Sequence, residues 1–260
     1  MKKFTFKRQL LFVMLMLLGC LSIQAADDGL ITNQVVITLD EPGTLPQKIN
    51  DYEKKFITSL KIKGKINGTD LRLIREMAGG SVKGEEGPGD LFYLDLSEAK
   101  IVSGGDYYYQ DYSNTKHYTK DNEIGDYFFY LCWSIKSLNL PSTINKIGNW
   151  AFVNCRITNL DLPSGLISIG HGAFGNCIHL KSMDFPTSLT SIGDRVFDGC
   201  DSLTSLTLHS TITSIGEGAF TNSPKLNDVR YIIHDDLATY IKKTHPIFYL
   251  NCGIKYYLNN

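Results

Sequence analysis

The sequence lacks a strong excess of charge of either sign. Its 26 Lys and Arg residues face 27 Asp and Glu residues, so the formal net charge is −1 at pH 7. Proteins that bind nucleic acid usually carry a basic stripe or patch, and we therefore expect no nucleic acid among the partners. After the first 25 residues the sequence also lacks an apolar run long enough to span a bilayer. Hydrophobic residues nevertheless make up 43% of the chain, which predicts a packed core.

Motifs of catalytic and metal sites are missing as well. No C-x-x-C pair occurs, although zinc sites are commonly built from such pairs. No serine lies in a G-x-S-x-G turn. The glycine-rich segment at residues 84–89 is acidic and is interrupted by Pro88, unlike a phosphate-binding loop. The sequence thus predicts a protein that is not an enzyme and that holds neither a metal ion nor a cofactor.

Residues 1–25 have the pattern of a secretory signal peptide. Four basic residues precede an uncharged apolar run at residues 10–18, and small residues follow at Ala25 and Ala26. This pattern predicts export, to the medium or to the outer cell surface. The segment at residues 17–20 (LLGC) also resembles a bacterial lipobox, in which Cys20 would be lipidated and would anchor the protein to a membrane. Both outcomes stay open from the sequence.

The second half of the chain consists of repeats. The dipeptide Ile-Gly recurs at intervals of 23, 22, 23 and 23 residues, and a period of this length is typical of stacked repeats. A Phe follows five residues after each Ile, and a Cys or Ser follows three residues after each Phe. The Ile and Phe positions are Ile124, Ile147, Ile169, Ile192 and Ile215, and Phe129, Phe152, Phe174, Phe197 and Phe220.

Each repeat also contains a short alternating segment. Two apolar residues separated by one polar residue, such as Leu138 and Leu140, predict a strand whose apolar side chains face inward. We expect the Ile-Gly step to form a tight turn that uses the conformational freedom of glycine, and the segment around Phe and Cys to form a helical turn. Because no repeat can bury its apolar face alone, stacked repeats would share one core.

These residues resemble the BspA-like class of bacterial leucine-rich repeats. The likeness is carried by segments such as residues 191–200 (SIGDRVFDGC) followed by residues 203–208 (LTSLTL). It implies an α/β repeat solenoid of leucine-rich repeats of about 23 residues, with short strands on one face and a cap at each end. It also implies an exported or surface protein that functions in adhesion and protein recognition.

The repeats set the boundaries of the other segments. We expect an N-terminal cap at residues 26–103, five leucine-rich repeats at residues 124–231 and a C-terminal cap at residues 232–260. In the N-terminal cap the sequence predicts a helix at residues 71–77 that opens at Asp70, and strands at residues 35–39, 60–66 and 91–96. In the C-terminal cap it predicts a helix at residues 236–243 and a closing strand at residues 254–258.

Residues 104–123 combine several Tyr residues with turn-forming residues, which predicts an irregular loop between the N-terminal cap and the repeats. Tyr side chains on loops offer a large contact area with few torsions to order. Alternatively, these tyrosines pack onto the first repeat as part of the cap. The sequence does not decide between the two interpretations.

The candidate interaction surface combines aromatic residues near the start of the repeats with outward-facing positions of the strands. Asp161 and Asp184 are expected to be neighbours on adjacent strands. Paired carboxylates can serve hydrolysis or bind calcium, but a solvated polar face is the simpler interpretation. The candidate residues are Tyr107, Tyr108, Tyr109, Tyr112, Tyr127, Tyr130, Trp133, Trp150, Asn139, Asp161, Asp184 and Thr207.

The cysteines recur at one position of the repeat, which Ser223 occupies in the fifth copy. A position that recurs in this way predicts buried free thiols that fill space in the core, with disulfides as the alternative in an oxidising compartment. Cys252 has no evident partner. The repeat cysteines are Cys132, Cys155, Cys177 and Cys200.

The sequence therefore favours an exported or cell-surface protein that recognises an extracellular protein or glycoprotein, for example in adhesion to host or other cells. A non-catalytic scaffold of the cell envelope is the alternative. In either case the only membrane contact that we predict is a lipid anchor at Cys20.

Overall fold

Short strands and turns make up most of the chain, because its apolar residues alternate over short stretches separated by Gly, Asn and Pro. The computed structural model describes residues 33–85, 87, 89–233 and 254–258. Its helices are α1 (Leu45–Lys48) and α2 (Gly68–Met77), with a 3-10 helix at Glu53–Lys55. The strands are β1 (Val35–Leu39), β2 (Ser59–Ile66), β3 (Tyr93–Asp95), β4 (Ala99–Ile101), β5 (Gly104–Gln110), β6 (Lys116–Thr119), β7 (Glu123–Ile124), β8 (Ser137–Asn139), β9 (Lys146–Ile147), β10 (Ser168–Ile169), β11 (Ser182–Asp184), β12 (Ser191–Ile192), β13 (Ser205–His209), β14 (Ser214–Ile215), β15 (Asp228–Ile233) and β16 (Ile254–Leu258).

The start of α2 differs from the prediction that Asp70 opens this helix. Asn67 is the N-cap residue, and its side chain accepts the backbone N–H of Thr69 at 3.0 Å. The Asp70 carboxylate accepts the backbone N–H of Asn67 at 3.0 Å, which completes a capping box. Asp70 is fully buried and also accepts the N–H of Leu45 at 2.9 Å. One carboxylate thus satisfies the starts of both α2 and α1.

The repeats form two parallel sheets instead of strands on one face only. The alternating segments contribute β8, β11, β13 and β15, and β8 pairs with β3 from the N-terminal segment. The Ile-Gly steps contribute a second sheet with the strand order β14-β12-β10-β9-β7. Equivalent residues pair in register, as Ile169 does with Ile192. This stacking buries the apolar residues of successive repeats in one continuous core.

The glycine of the Ile-Gly step allows close approach of two repeats, which corrects the prediction of a tight turn. At Gly148 and Gly170 the backbone does not adopt the left-handed conformation. A Cβ atom at Gly148 would lie 2.6 Å from the backbone nitrogen of Asp126, and one at Gly170 would lie 2.7 Å from that of Asn149. Any side chain at these positions would therefore push neighbouring repeats apart.

The predicted helical turn around each Phe is a series of turns at residues 126–131, 149–154, 171–176, 194–199 and 217–222, which we name the turn segments. Their backbone N–H groups bind carbonyls of the next repeat, as Phe129 binds Ala151 at 2.7 Å and Phe152 binds Ala173 at 2.7 Å. In a helix these N–H groups would be used internally. Left-handed residues such as Asn154 and Asn176 enable this arrangement.

The Phe residues of the turn segments stack through the core. Neighbouring rings from Phe129 to Phe220 have centroids 5.0 to 5.7 Å apart. From Phe152 onward the rings are parallel within 6°. Because identical rings occupy identical positions, each central Phe contacts two others and contributes to both interfaces of its repeat.

The repeat cysteines are free and buried, and they donate hydrogen bonds as well as filling space. The Cys177 thiol lies 3.1 Å from the carbonyl of Phe152, and the Cys200 thiol lies 3.2 Å from that of Phe174. Ser223 makes the equivalent bond to Phe197 at 2.8 Å. Each side chain therefore links two successive repeats. Cys252 lies outside the described residues.

Replacing Cys177 by Ala is expected to lower the free energy of unfolding by about 1–3 kcal/mol, because the Phe152 carbonyl loses its partner in a dry core. Cys177→Ser keeps a donor at this position, as Ser223 does naturally, and is expected to be the more stable variant. Urea unfolding followed by circular dichroism measures both. If the Ser variant is as unstable as the Ala variant or less stable, the thiol contributes through its apolar volume alone.

Candidate functional site

A fully buried arginine joins α2 to the first turn segment. The Arg75 guanidinium donates to the carbonyls of Phe128 at 2.9 Å and Tyr130 at 3.1 Å, and also to those of Tyr127 and Ser81. In later repeats, the carbonyls equivalent to those of Phe128 and Tyr130 accept backbone N–H groups from the preceding repeat. Arg75 therefore supplies the donors that a preceding repeat would provide.

Tyr108 completes this arrangement, which corrects its prediction as a surface residue. Its hydroxyl donates to the carbonyl of Asp126 at 2.7 Å, the third carbonyl of the same series. The side chain is only 1% exposed, and burial raises its pKa well above the ordinary value. Tyr109 is equally buried, with its ring 5.1 Å from the Arg75 guanidinium. For these two residues the interpretation as packing residues is the right one.

Residues 104–119 form an antiparallel hairpin of β5 and β6, where we predicted an irregular loop. The connecting turn is held by Asp111, whose carboxylate accepts the N–H groups of Ser113 and Thr115 at 2.9 Å each. Asp111 also lies 3.1 Å from His117 Nε2, and this hydrogen bond lowers the pKa of the carboxyl group. The inner face of the hairpin packs on the first repeat, since Tyr109 stacks on Tyr127 with ring centroids 4.8 Å apart.

The outer face of the hairpin carries the exposed aromatic residues. Tyr112 at the turn is 85% exposed, and Tyr118 on β6 is 50% exposed. Tyr107 is half-buried, with Arg72 from α2 at 5.3 Å and Lys116 at 4.7 Å from its ring centroid. We refer to Arg72, Tyr107, Lys116 and Tyr118 as the outer hairpin patch.

The other predicted aromatic residues are half-buried. Tyr130 packs beside Tyr109 with ring centroids 5.4 Å apart. Trp133 donates its indole N–H to the carbonyl of Gly87 at 3.2 Å, and the Arg156 guanidinium lies 5.2 Å from its ring. Trp150, within a turn segment, packs against His171 with ring centroids 4.5 Å apart. The Trp residues therefore have packing roles and only part of each is exposed.

The exposed strand face consists of outward side chains of the first sheet. Asn139, Asp161 and Asp184 are exposed, and Thr207 is half-buried opposite Asp184. Asp161 is not in a strand, which corrects the expectation that it pairs with Asp184 on adjacent strands. The second repeat is one residue shorter than the others, since two residues separate Cys155 from Ile157 where three separate the equivalent residues elsewhere. This difference precedes the missing strand directly.

A comparison with protein families identifies the repeats. The profile described as the BspA type leucine rich repeat region matches residues 122–244 in six copies. Over these residues the chain is a BspA-type leucine-rich repeat protein. The match extends beyond the five Ile-Gly steps counted in the sequence. Among curated protein sequences none matches the chain.

Several solved structures are similar to this BspA-type chain. A leucine-rich repeat protein of T. pallidum is 38% identical over 43% of the chain and 52% of its own, with a TM-score of 0.42. A leucine-rich cell surface protein of Faecalibacterium prausnitzii is 16% identical over 72% and 66%, with a TM-score of 0.44. The pneumococcal vaccine antigen PcpA is 16% identical over 73% and 65%, with a TM-score of 0.35. The chain spans about half the length of the T. pallidum protein.

Tyr93 is an exposed aromatic residue of the strand face that the sequence analysis did not include. It lies on β3 opposite Ser137 of the BspA-type region and is 52% exposed. The alternation at residues 91–96 (LFYLDL) already places Tyr93 and Asp95 on the side opposite the buried leucines. The signal was therefore present in the sequence.

The chemistry of the BspA-type region consists of hydrogen bonding and aromatic contact. Burial raises the pKa of Cys132 to about 11 and that of Cys200 to about 12, which disfavours reactive thiolates at neutral pH. A cavity of about 340 Å³ lies beside the end of α2, and neither Asp161 nor Asp184 lines it. Over the described ranges, no group of three His, Cys, Asp or Glu residues could hold a metal ion, and no helix is long and apolar enough to cross a membrane.

Proposed function

We propose that the protein is an exported recognition protein that binds an extracellular protein or glycoprotein, in the manner of an adhesin. The observation that supports this most strongly is the exposure of Tyr112 on a hairpin whose inner face is buried. An aromatic side chain on a well-supported element is a favoured anchor in protein interfaces. Because Asp111 holds the turn, little conformational entropy is lost when Tyr112 enters a partner.

The strand face extends the proposed surface. Parallel strands lie about 4.8 Å apart, so Asp184 and Thr207 present polar groups at a regular spacing. Stacked repeats use such extended surfaces for binding. In this proposal residues 26–103 and 232–260 cap the two ends of a solenoid. The closing strand predicted at residues 254–258 is β16, whereas the helix predicted at residues 236–243 lies outside the described residues.

Export is supported by the sequence pattern of residues 1–25, which lie outside the described residues, as does Cys20. The proposal holds for a secreted protein and for one anchored through a lipid at Cys20. In both cases the repeats would meet partners outside the cell.

A binding screen of residues 26–260 against immobilised extracellular-matrix, plasma and mucosal glycoproteins tests the proposal. We expect saturable binding to at least one of them. Tyr112→Ala is expected to weaken this binding by more than about tenfold, since a central aromatic anchor contributes about 2 kcal/mol or more. Tyr52→Ala is the matched control, because Tyr52 is 57% exposed on the N-terminal segment. Absence of binding by the folded protein would contradict the proposal and favour the envelope scaffold.

A further inference from the structure

We infer that the outer hairpin patch binds a carboxylate-bearing sugar, such as a terminal sialic acid of a glycoprotein. This inference rests on the proposed function and names the chemical group that the patch recognises. It is carried by two cationic side chains that converge on one tyrosine ring beside a second, exposed tyrosine.

The two cations leave the patch with a net positive charge. Arg72 and Lys116 belong to different elements, and their charged groups lie 5.3 and 4.7 Å from the Tyr107 ring centroid. Asp106 is the carboxylate paired with Arg72, at an Nη1–Oδ2 distance of 3.5 Å. No ion pair in the described part of the chain involves Lys116. An anion that approaches Tyr107 is therefore attracted.

The shape of the cationic group selects a carboxylate. A guanidinium group presents its N–H donors in a plane that matches the two oxygens of a carboxylate. Its present partner is held loosely, because 3.5 Å is longer than a charge-assisted hydrogen bond of about 2.7–2.9 Å. The side chains of Arg72 and Asp106 are 35% and 59% exposed, so a ligand carboxylate can reach this group from solvent.

Tyr118 supplies an apolar surface for the sugar ring. Its side chain is 50% exposed, and its ring lies 6.3 Å from that of Tyr107 at an angle of 72°. A sugar has an apolar C–H face that can pack on an exposed aromatic ring, while its carboxylate lies towards Arg72 and Lys116. A neutral sugar would make the first contact and not the second.

The patch is organised before any ligand binds. The backbone N–H of Asp106 donates to Thr69 Oγ1 at 3.0 Å, which ties β5 to α2. Tyr108, the residue after Tyr107, is anchored beneath the hairpin by its bond to Asp126. Arg72 and Tyr107 are thus held together by the two elements that carry them, which reduces the entropy lost on binding.

Titration of residues 26–260 with 3′-sialyllactose, lactose and lactose 3′-sulfate, monitored by calorimetry or NMR, tests the inference. We expect sialyllactose to bind at least about tenfold more tightly than either of the other sugars. Arg72→Gln is expected to weaken binding by about tenfold or more, as loss of a charged hydrogen bond does. Asp106→Asn is expected to strengthen binding, because a competing carboxylate is removed. Arg156→Gln is the matched control, since Arg156 also lies over an aromatic ring, that of Trp133.

Equal binding of lactose and sialyllactose would overturn the inference, as would equal binding by the Arg72 and Arg156 variants. Sulfated lactose that binds as tightly as sialyllactose would contradict the assignment to a carboxylate. Thermal unfolding shows whether Arg72→Gln is folded, and Tyr118→Ala tests the patch independently. A protein partner that still binds after sialidase treatment would refute the inference and leave the proposed function standing, whereas failure to bind any glycoprotein or sugar would refute both.

Discussion

Replacing Arg75 by Met is expected to lower the free energy of unfolding by about 3–5 kcal/mol. Methionine is of similar length and fills much of the same space, so the change chiefly removes hydrogen-bond donors. The carbonyls of Phe128 and Tyr130 would lose their donors inside the protein. Each buried carbonyl without a partner costs about 1–3 kcal/mol, and removal of a buried charge offsets part of the total.

Urea unfolding followed by circular dichroism measures this loss. Arg72→Met is the matched control, since Arg72 lies on the same helix with a side chain 35% exposed. We expect the control to change stability by less than about 0.5 kcal/mol, as is usual for surface substitutions. Equal stability of the two variants would show that Arg75 does not terminate the series of carbonyls in the way the structure indicates.

Replacing Phe174 by Ala is expected to lower the free energy of unfolding by about 3–5 kcal/mol, the usual range for a buried Phe. Phe174 is fully buried, and its ring centroid lies 5.0 Å from that of Phe152 and 5.5 Å from that of Phe197. The substitution removes two stacked contacts and leaves a cavity at two interfaces between repeats. The rings above and below cannot close this cavity, because the backbone ladder fixes the distance between repeats.

Ile178→Ala in the same repeat is the control for Phe174. Its side chain is 45% exposed, so we expect a change within about 0.5 kcal/mol. Urea unfolding of both variants gives the comparison. Losses of similar size would mean that the repeat tolerates a cavity in the Phe stack and that the stack is not the main support of the core.

The repeats could be predicted because their spacing expresses the packing directly. An Ile, a Phe and a Cys that recur at one period must occupy equivalent places in a stack. The role of glycine in the Ile-Gly step was harder to infer, since a glycine needed for close approach looks the same in sequence as one needed for a turn. The turn segments likewise contain the apolar spacing of a helix, while their N–H groups bind the next repeat.

The end of the stack could not be predicted, because its contacts join residues that are distant in sequence. Arg75 lies 53 residues before Phe128, and no periodicity connects them. Tyr107, Tyr108 and Tyr109 are adjacent and chemically identical, yet Tyr108 and Tyr109 are buried and Tyr107 is half-buried. Only the pairing of β5 with β6 and the contacts of both strands separate these roles.

Comparison of Tyr108→Phe with Tyr112→Ala tests the division between supporting and recognising residues most directly. For each variant, thermal unfolding and affinity for a glycoprotein found in the screen would be measured together. We predict that Tyr108→Phe loses about 1–3 kcal/mol of stability, because the Asp126 carbonyl loses its partner, and keeps its affinity while folded. Tyr112→Ala should keep its stability and lose affinity. Full affinity of folded Tyr112→Ala together with lost affinity of folded Tyr108→Phe would contradict the account.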